Sequence, residues 1–270
     1  MITYYPNAKI NLGLSIVGKR PDGYHNIETI FYPIPLCDSL SIELAQTNGF
    51  KIHGIAIDGN IEDNLVMKAY RLIEKDYKIP PISIILEKKI PFGAGLGGGS
   101  SDAAYMLRLL SDYFKLSISN DQLEHYSSTL GADCPFFIKN EAVFASGIGN
   151  IFESSSISLK GYYMVLIKPN VAVSTADAYR MVVPAKASFD LSQLQSLSID
   201  QWRKFIFNDF ESSVFTKYPL IASIKEDLYA SGAIYASMSG SGSTVFGIYK
   251  KAPNITSMLQ SDIVWQGILS

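Results

Sequence analysis

Residues 93–101 set five glycines and two serines between an apolar run and an amphipathic one, and this stretch restricts the fold more than any other. Glycine at that density costs chain entropy, so it marks backbone that takes left-handed dihedrals or lets something come close. Upstream, Ile82 to Leu86 reads as a buried strand. Downstream, Asp102 to Phe114 puts Ala103, Met106, Leu107, Leu110 and Phe114 on one helical face. A glycine turn from strand to helix aims successive N–H groups, and the positive end of the helix, at one anion. Ser100 and Ser101 add hydroxyls that suit a helix cap, a phosphate oxygen or a metal ion.

Three phosphate-binding schemes compete with a plain structural turn. Gly93-Ala94-Gly95-Leu96-Gly97-Gly98 fits G-x-G-x-x-G, the dinucleotide fingerprint. The next predicted element is another helix (Asp121 to Leu130, ending at Gly131) rather than a strand ending in an acid, so the Rossmann unit is missing. No lysine follows the glycines, which removes the P-loop. The protein-kinase signatures V-A-I-K, H-R-D and D-F-G are absent.

Ala8 to Leu14 alternates as a strand, with Ala8, Ile10, Leu12 and Leu14 on one face and Lys9 and Asn11 on the other. Lys19 to His25 is a loop punctuated by Pro21 and Asp22-Gly23. Leu40 to Leu44 is a further strand, and Asn64 to Asp76 a helix capped by Asp63 or Asn64. Phe136 to Ile138 and Glu141 to Ala145 read as short strands, and Tyr162 to Lys168 as another. Helical spacing covers Ala176 to Met181, Leu191 to Leu197, Gln201 to Phe207 and Ile221 to Ser231, the last closed by Gly232. Ala233 to Met238 leads to the loop Ser239-Gly240-Ser241-Gly242-Ser243 and the strand Thr244 to Tyr249. The Ser-rich stretch 153–158 suggests a linker, and with it two α+β domains, 1–155 and 156–270.

Charge limits the partners. There are 23 basic and 25 acidic side chains among 270 residues, too little cationic surface to blanket a nucleic acid. Apolar runs fall far short of the roughly 20 residues that cross a bilayer, and the start carries no signal-peptide pattern. A cytoplasmic protein without nucleic-acid or membrane partners is expected. Cys37 and Cys134 have no metal-ligand spacing and read as thiols of a reducing compartment.

Pro91 to Ser101 resembles the second motif of the superfamily of galactokinase, homoserine kinase, mevalonate kinase and phosphomevalonate kinase, the GHMP kinases. Pro6 to Leu12 resembles the first and Ser239 to Ser243 the third, in the right order and spacing, so the resemblance spans nearly the whole chain. It implies a two-domain α+β fold: an N-terminal nucleotide domain like ribosomal protein S5 domain 2, and a C-terminal ferredoxin-like α/β sandwich. It also implies ATP with Mg²⁺. The ATP site would comprise Pro91, Phe92, Gly93, Ala94, Gly95, Leu96, Gly97, Gly98, Gly99, Ser100 and Ser101, with Asn64 and Leu65 near the base. The metal ligands stay unassigned; Ser101 is the one candidate.

Arg20 to His25, Gly97 to Gly99 and Leu130 to Phe137 are narrower. They resemble the members whose substrate is a cytidine diphosphate sugar alcohol, a small-molecule partner. In those members Asp133 takes the proton of the acceptor hydroxyl, and Lys9 pairs with it and stabilises charge at the γ-phosphate. Tyr24, His25 and Tyr179 would recognise the cytosine, with Tyr24 and Tyr179 on opposite faces, while Asn11 and Thr175 contact the substrate. Asp102 stands where such relatives often carry Asn. Near a helix start it is expected to face solvent. A homoserine- or mevalonate-type kinase and a non-catalytic binding module are the alternatives, and monomer and homodimer stay open.

Overall fold

A computed structural model describes residues 1–56, 59–255 and 260–270. The strands are β1 (Ile2–Tyr4), β2 (Asn7–Lys19), β3 (His25–Cys37), β4 (Ser39–Leu44), β5 (Gly49–Gly54), β6 (Ile82–Lys88), β7 (Val143–Ser146), β8 (Ile151–Ser154), β9 (Tyr163–Ile167), β10 (Tyr235–Met238), β11 (Val245–Tyr249) and β12 (Ile263–Ile268). The helices are α1 (Leu65–Tyr77), α2 (Gly98–Tyr113), α3 (Asn120–Ser128), α4 (Phe136–Lys139), α5 (Thr175–Tyr179), α6 (Ile199–Phe205), α7 (Phe210–Lys217) and α8 (Pro219–Ala230).

They form two compact units that interleave in sequence. The first holds residues 1–8, 35–92 and 97–141; the second holds 9–34, 93–96 and 142–270. A single cut near residue 155 does not reproduce these units, because β2 bonds across it: the Leu14 N–H reaches Phe207 O at 2.9 Å and the Asp209 N–H reaches Leu14 O at 2.9 Å. Those bonds tie an early strand to the later chain. The stretch read as a linker also begins in a strand, since Glu153 and Ser154 belong to β8 and pair with Phe144 and Val143.

In the first unit the sheet runs β1-β4-β6-β5, antiparallel except for the parallel β5–β6 pair. Helices α1 and α2 pack together. The core is filled by Leu40, Ile42, Ile82, Ile84 and Leu86 from the sheet, and by Ala69, Ile73, Met106 and Leu110 from the helices. Asn64 is the N-cap of α1, accepting from the Val66 N–H at 2.9 Å. Residues 136–138, expected as a strand, are helical. The whole Phe136–Ile138 run is buried, so it carries no period to tell strand from helix, and Pro135 sits at φ −61° in the helical region.

The second unit carries two sheets, β2-β3-β7-β8 and β10-β11-β9-β12. On the latter pack α7 and α8, with Phe210, Val214, Ile221, Ile224 and Leu228 against Val165, Ile167 and Val245. Helix α8 ends as anticipated at Gly232, whose N–H reaches Tyr229 O at 2.9 Å while that of Ala233 reaches Leu228 O at 3.0 Å. Strands β3, β5 and β12 and helix α7 carry weak periodicity and emerge only in the structure. Among the described residues no helix is long and apolar enough to cross a membrane.

Candidate active site

Lys9 and Asn11 share one face of β2, as alternation requires. Lys9 is 4% exposed, its ammonium donates to Asn11 Oδ1 at 2.7 Å and it lies 4.7 Å from the centre of the Phe31 ring. Asn11 Nδ2 donates onward to Thr29 Oγ1 at 3.0 Å, and Thr29 to Gly13 O at 2.5 Å. Thr29 is fully buried and was not among the expected site residues; it lies on the unanticipated β3.

The same strand grips the phosphate loop. The Lys9 N–H bonds Leu96 O at 3.0 Å. Behind Gly95 stands the third glycine loop: Ser239 Oγ accepts from the Asn11 N–H at 3.3 Å and donates to Gly95 O at 2.8 Å. A Cβ on Gly95 would fall 1.9 Å from Ser239 O, and its φ of +74° is left-handed. Only glycine fits there.

In the first unit, α2 begins at Gly98, earlier than the glycine content suggests, with Gly97 left-handed at its N-cap. The first N–H groups of a helix have no intrahelical acceptor, and the N-cap Gly97 offers no side chain to cap those of Gly98, Gly99 and Ser100. Ser101 Oγ is buried without a hydrogen-bond partner. Gly99 stands open, and a Cβ there would come no nearer than 4.0 Å to Leu65 Cδ1, which places Leu65 beside the glycine turn.

Asp102 does not face solvent. It is 2% exposed and accepts from the Lys88 ammonium at 2.7 Å, which also bonds Asp38. Asp38 Oδ1 in turn accepts the N–H groups of Lys89 (2.6 Å) and Ile90 (2.8 Å). One buried cation thus holds two carboxyls and ties the end of β6 to the first turns of α2. Burial opposes the charge on Lys88, but the two carboxyls outweigh it and raise its pKa. Burial likewise pushes Asp102 up to about 8 against the pull of Lys88, with the charge of Asp38 adding to the rise. Burial therefore favours the protonated form of Asp102 at neutral pH.

Asp133 is half-buried in the turn ahead of α4. Its neighbour Cys134 is fully buried, which pushes the thiol to about 11 and leaves it unreactive.

The residues expected to recognise the base fall in the second unit. Asp22 shapes their turn: Oδ1 accepts the Tyr24 N–H at 3.1 Å, and its carboxylate pairs with Arg20 at 2.9 Å. Tyr24 is 63% exposed. The ring that faces Tyr179 is that of His25, stacked with centroids 4.6 Å apart and planes 22° apart; Phe210 meets Tyr179 edge-on at 4.7 Å. His25 opens β3, and the strand fixes its ring beside Tyr179. Thr175, the first residue of α5, is exposed. A separate cavity of about 430 Å³, lined by Phe189, Phe205, Phe207, Lys186 and Asp209 among others, includes none of the expected site residues.

Each unit carries its own part of the expected site: the turn into α2 in the first, Lys9 and Gly95 in the second. Comparison with known proteins bears on the class of the chain. The model of the GHMP kinases N terminal domain matches residues 64–141, and that of the GHMP kinases C terminal matches 190–262. A Parabacteroides distasonis protein named 4-diphosphocytidyl-2-C-methyl-D-erythritol kinase is 53% identical over 268 residues, 98% of this chain and 99% of that one. A Bacteroides fragilis protein of the same name is 54% identical over 262 residues, 96% of this chain and 95% of that one. A crystal structure of 4-(cytidine 5'-diphospho)-2C-methyl-D-erythritol kinase superposes with TM-score 0.78 at 32% identity, covering 92% of this chain and 90% of the other. The chain belongs to the GHMP kinases, in the 4-diphosphocytidyl-2-C-methyl-D-erythritol kinase family.

Proposed function

We infer that this kinase transfers the γ-phosphoryl group of ATP to the 2-hydroxyl of 4-diphosphocytidyl-2-C-methyl-D-erythritol, giving the 2-phosphate and ADP. The step belongs to the non-mevalonate route to isoprenoid precursors. One observation carries the reading: identity of 53% extends over 98% of the chain to a relative of that name. The cradle residues supply its physical basis.

In the transfer, the hydroxyl oxygen bonds to the γ-phosphorus as the bond to the β–γ bridging oxygen breaks, and ADP leaves with that electron pair. Asp133 is the assigned acceptor of the hydroxyl proton, which moves as the phosphoryl group does because an alcohol is far less acidic than a carboxylic acid. Lys9, oriented by Asn11, is assigned to stabilise charge at the γ-phosphate. The N–H groups at 97–100 and the start of α2 hold the phosphate oxygens, with Pro91 to Leu96 completing the loop and Asn64 and Leu65 beside the adenine. The orphaned, buried Ser101 hydroxyl fits a hard cation, and Mg²⁺ bound with ATP would neutralise phosphate charge there. Tyr24, His25 and Tyr179 are assigned to the cytosine, and Asn11 and Thr175 to the polyol.

An assay with Mg²⁺-ATP and the cytidine diphosphate substrate, set against mevalonate and homoserine, tests the reading. Phosphorylation of the first alone is expected; turnover confined to the other two overturns it. Asp133→Asn should lower turnover by about 10²–10⁴-fold, the range for a positioned general base, with ATP affinity kept. Undiminished turnover removes Asp133 from the mechanism.

A further inference from the structure

The short segment Asn208-Asp209-Phe210-Glu211, which leads into the first turn of α7, was not expected to bear on the site, yet three of its side chains are consumed by backbone groups far away in sequence. Asn208 is 2% exposed and spends its whole amide. Nδ2 donates to Met238 O and to Gly240 O, both at 2.8 Å, and Oδ1 accepts from the Phe210 N–H at 3.0 Å. Glu211, 8% exposed, accepts the Met238 N–H at 2.9 Å and the Ser237 hydroxyl at 3.2 Å through Oε1, while Lys225 holds Oε2 at 2.6 Å. Asp209 accepts the Ile16 N–H at 2.7 Å, and the Asp209 N–H bonds Leu14 O at 2.9 Å.

Strand β10 is the edge of its sheet, so its outward N–H and C=O groups need partners from elsewhere. Asn208 and Glu211 supply both for Met238, the last residue before the third glycine loop. That loop is the backing of Gly95: Ser239 Oγ bonds Gly95 O at 2.8 Å, and the Thr244 N–H reaches Ala94 O at 3.4 Å. A run of hydrogen bonds therefore leads from Asn208 to Met238 and Gly240, on either side of Ser239, and from Ser239 to Gly95. A simple cap on α7 would need only the Phe210 bond; the two further donations point elsewhere.

We propose that Asn208, supported by Glu211, is a positioning residue that sets the third glycine loop and, through it, the phosphate-gripping conformation of Ala94-Gly95. The functional part rests on the reading of that loop as the ATP site. Neither residue touches ATP; both act through backbone that does.

The test replaces Asn208 with Asp, which keeps the shape but turns the amide donor into an acceptor facing two carbonyls, and with Ser, which simply removes both donations. Two readouts are taken on folded protein of full length: hydrogen exchange in peptides covering 93–97 and 238–244, and the dissociation constants of Mg²⁺-ATP and of the acceptor substrate. Expected are faster exchange in both peptides, unchanged exchange in α1, ATP affinity weaker by about tenfold or more, and acceptor affinity within about twofold. A merely structural role would lower the melting temperature of the variants and leave the ATP constant of the folded fraction unmoved. Unchanged ATP affinity or unchanged exchange at 93–97 in either folded variant overturns the inference. Failure of the wild-type chain to bind ATP overturns the proposed function instead, and exchange at 93–97 then decides alone whether Asn208 sets that loop.

Discussion

The second and third glycine motifs have similar compositions and opposite surroundings. In the second, Phe92, Gly93 and Gly99 are exposed and the head of α2 has no side-chain cap. In the third, Ser239, Gly240, Gly242 and Ser243 are all buried, and their polar atoms turn inward to Asn11, Gly95, Asn208 and Val171. Glycine leaves open surface in one and permits backbone-to-backbone approach in the other. The second motif is itself divided: Gly95 belongs to the inward-facing kind, Gly99 to the outward-facing kind.

The largest effect is expected beneath the outward-facing half. Lys88→Met strips the cation from two buried carboxyls, and chemical denaturation should show a loss on the order of 3–5 kcal/mol, the cost of breaking a buried pair from one side. A loss under about 1 kcal/mol would mean that Asp38 and Asp102 are matched otherwise.

Gly95→Ala comes next. Its Cβ cannot stand 1.9 Å from a carbonyl oxygen, so the two loops must part. About 2–4 kcal/mol of stability and most of the ATP affinity should go with them, from overpacking and left-handed strain together. Near-normal ATP affinity in this variant would break the distinction between the two halves of the loop.

Tyr24→Ala removes an exposed ring rather than a support. The expected result is a weaker cytidine-substrate KM by about tenfold, within the 1–3 kcal/mol of a base–aromatic stack, with KM for ATP unmoved. Full retention of substrate affinity would assign the base to the His25–Tyr179 pair alone.

The pH dependence of stability follows from Asp102, whose folded pKa of about 8 lies above its ordinary 3.8. Between those values the folded protein holds a proton that the unfolded chain releases, so stability falls as pH rises through that window. Asp102→Asn should flatten the slope in denaturation curves taken at several pH values; an unaltered slope would place the proton elsewhere. Smallest of all, Gly99→Ala meets only Leu65 Cδ1 at 4.0 Å and should shift stability by less than about 0.5 kcal/mol.

Much of this molecule was legible along the chain. The period-two run at 8–14 set Lys9 and Asn11 on one face, and the 2.7 Å bond between them follows from that alone. Asn64 announced itself as a cap, and the glycine run as a turn into a helix. What failed to show had no local signal. Continuous burial hid the helical state of Phe136 to Ile138. The loop order of residues 24 and 25 did not reveal that His25, as the first residue of β3, is the one that reaches Tyr179.

Sequence by itself determined the class of chemistry, because a phosphate cradle needs particular residue types at fixed spacing and those are written contiguously. Tertiary structure decided the rest: which glycines stay exposed and which pack on backbone, that Asp102 is buried against Lys88 rather than solvated, and that Asn208 and Glu211 serve an edge strand some 30 residues away. The physical reason is the reach of each interaction. Turn and helix geometry is fixed by neighbours in the chain, whereas burial and the satisfaction of buried polar groups depend on partners that only folding brings together.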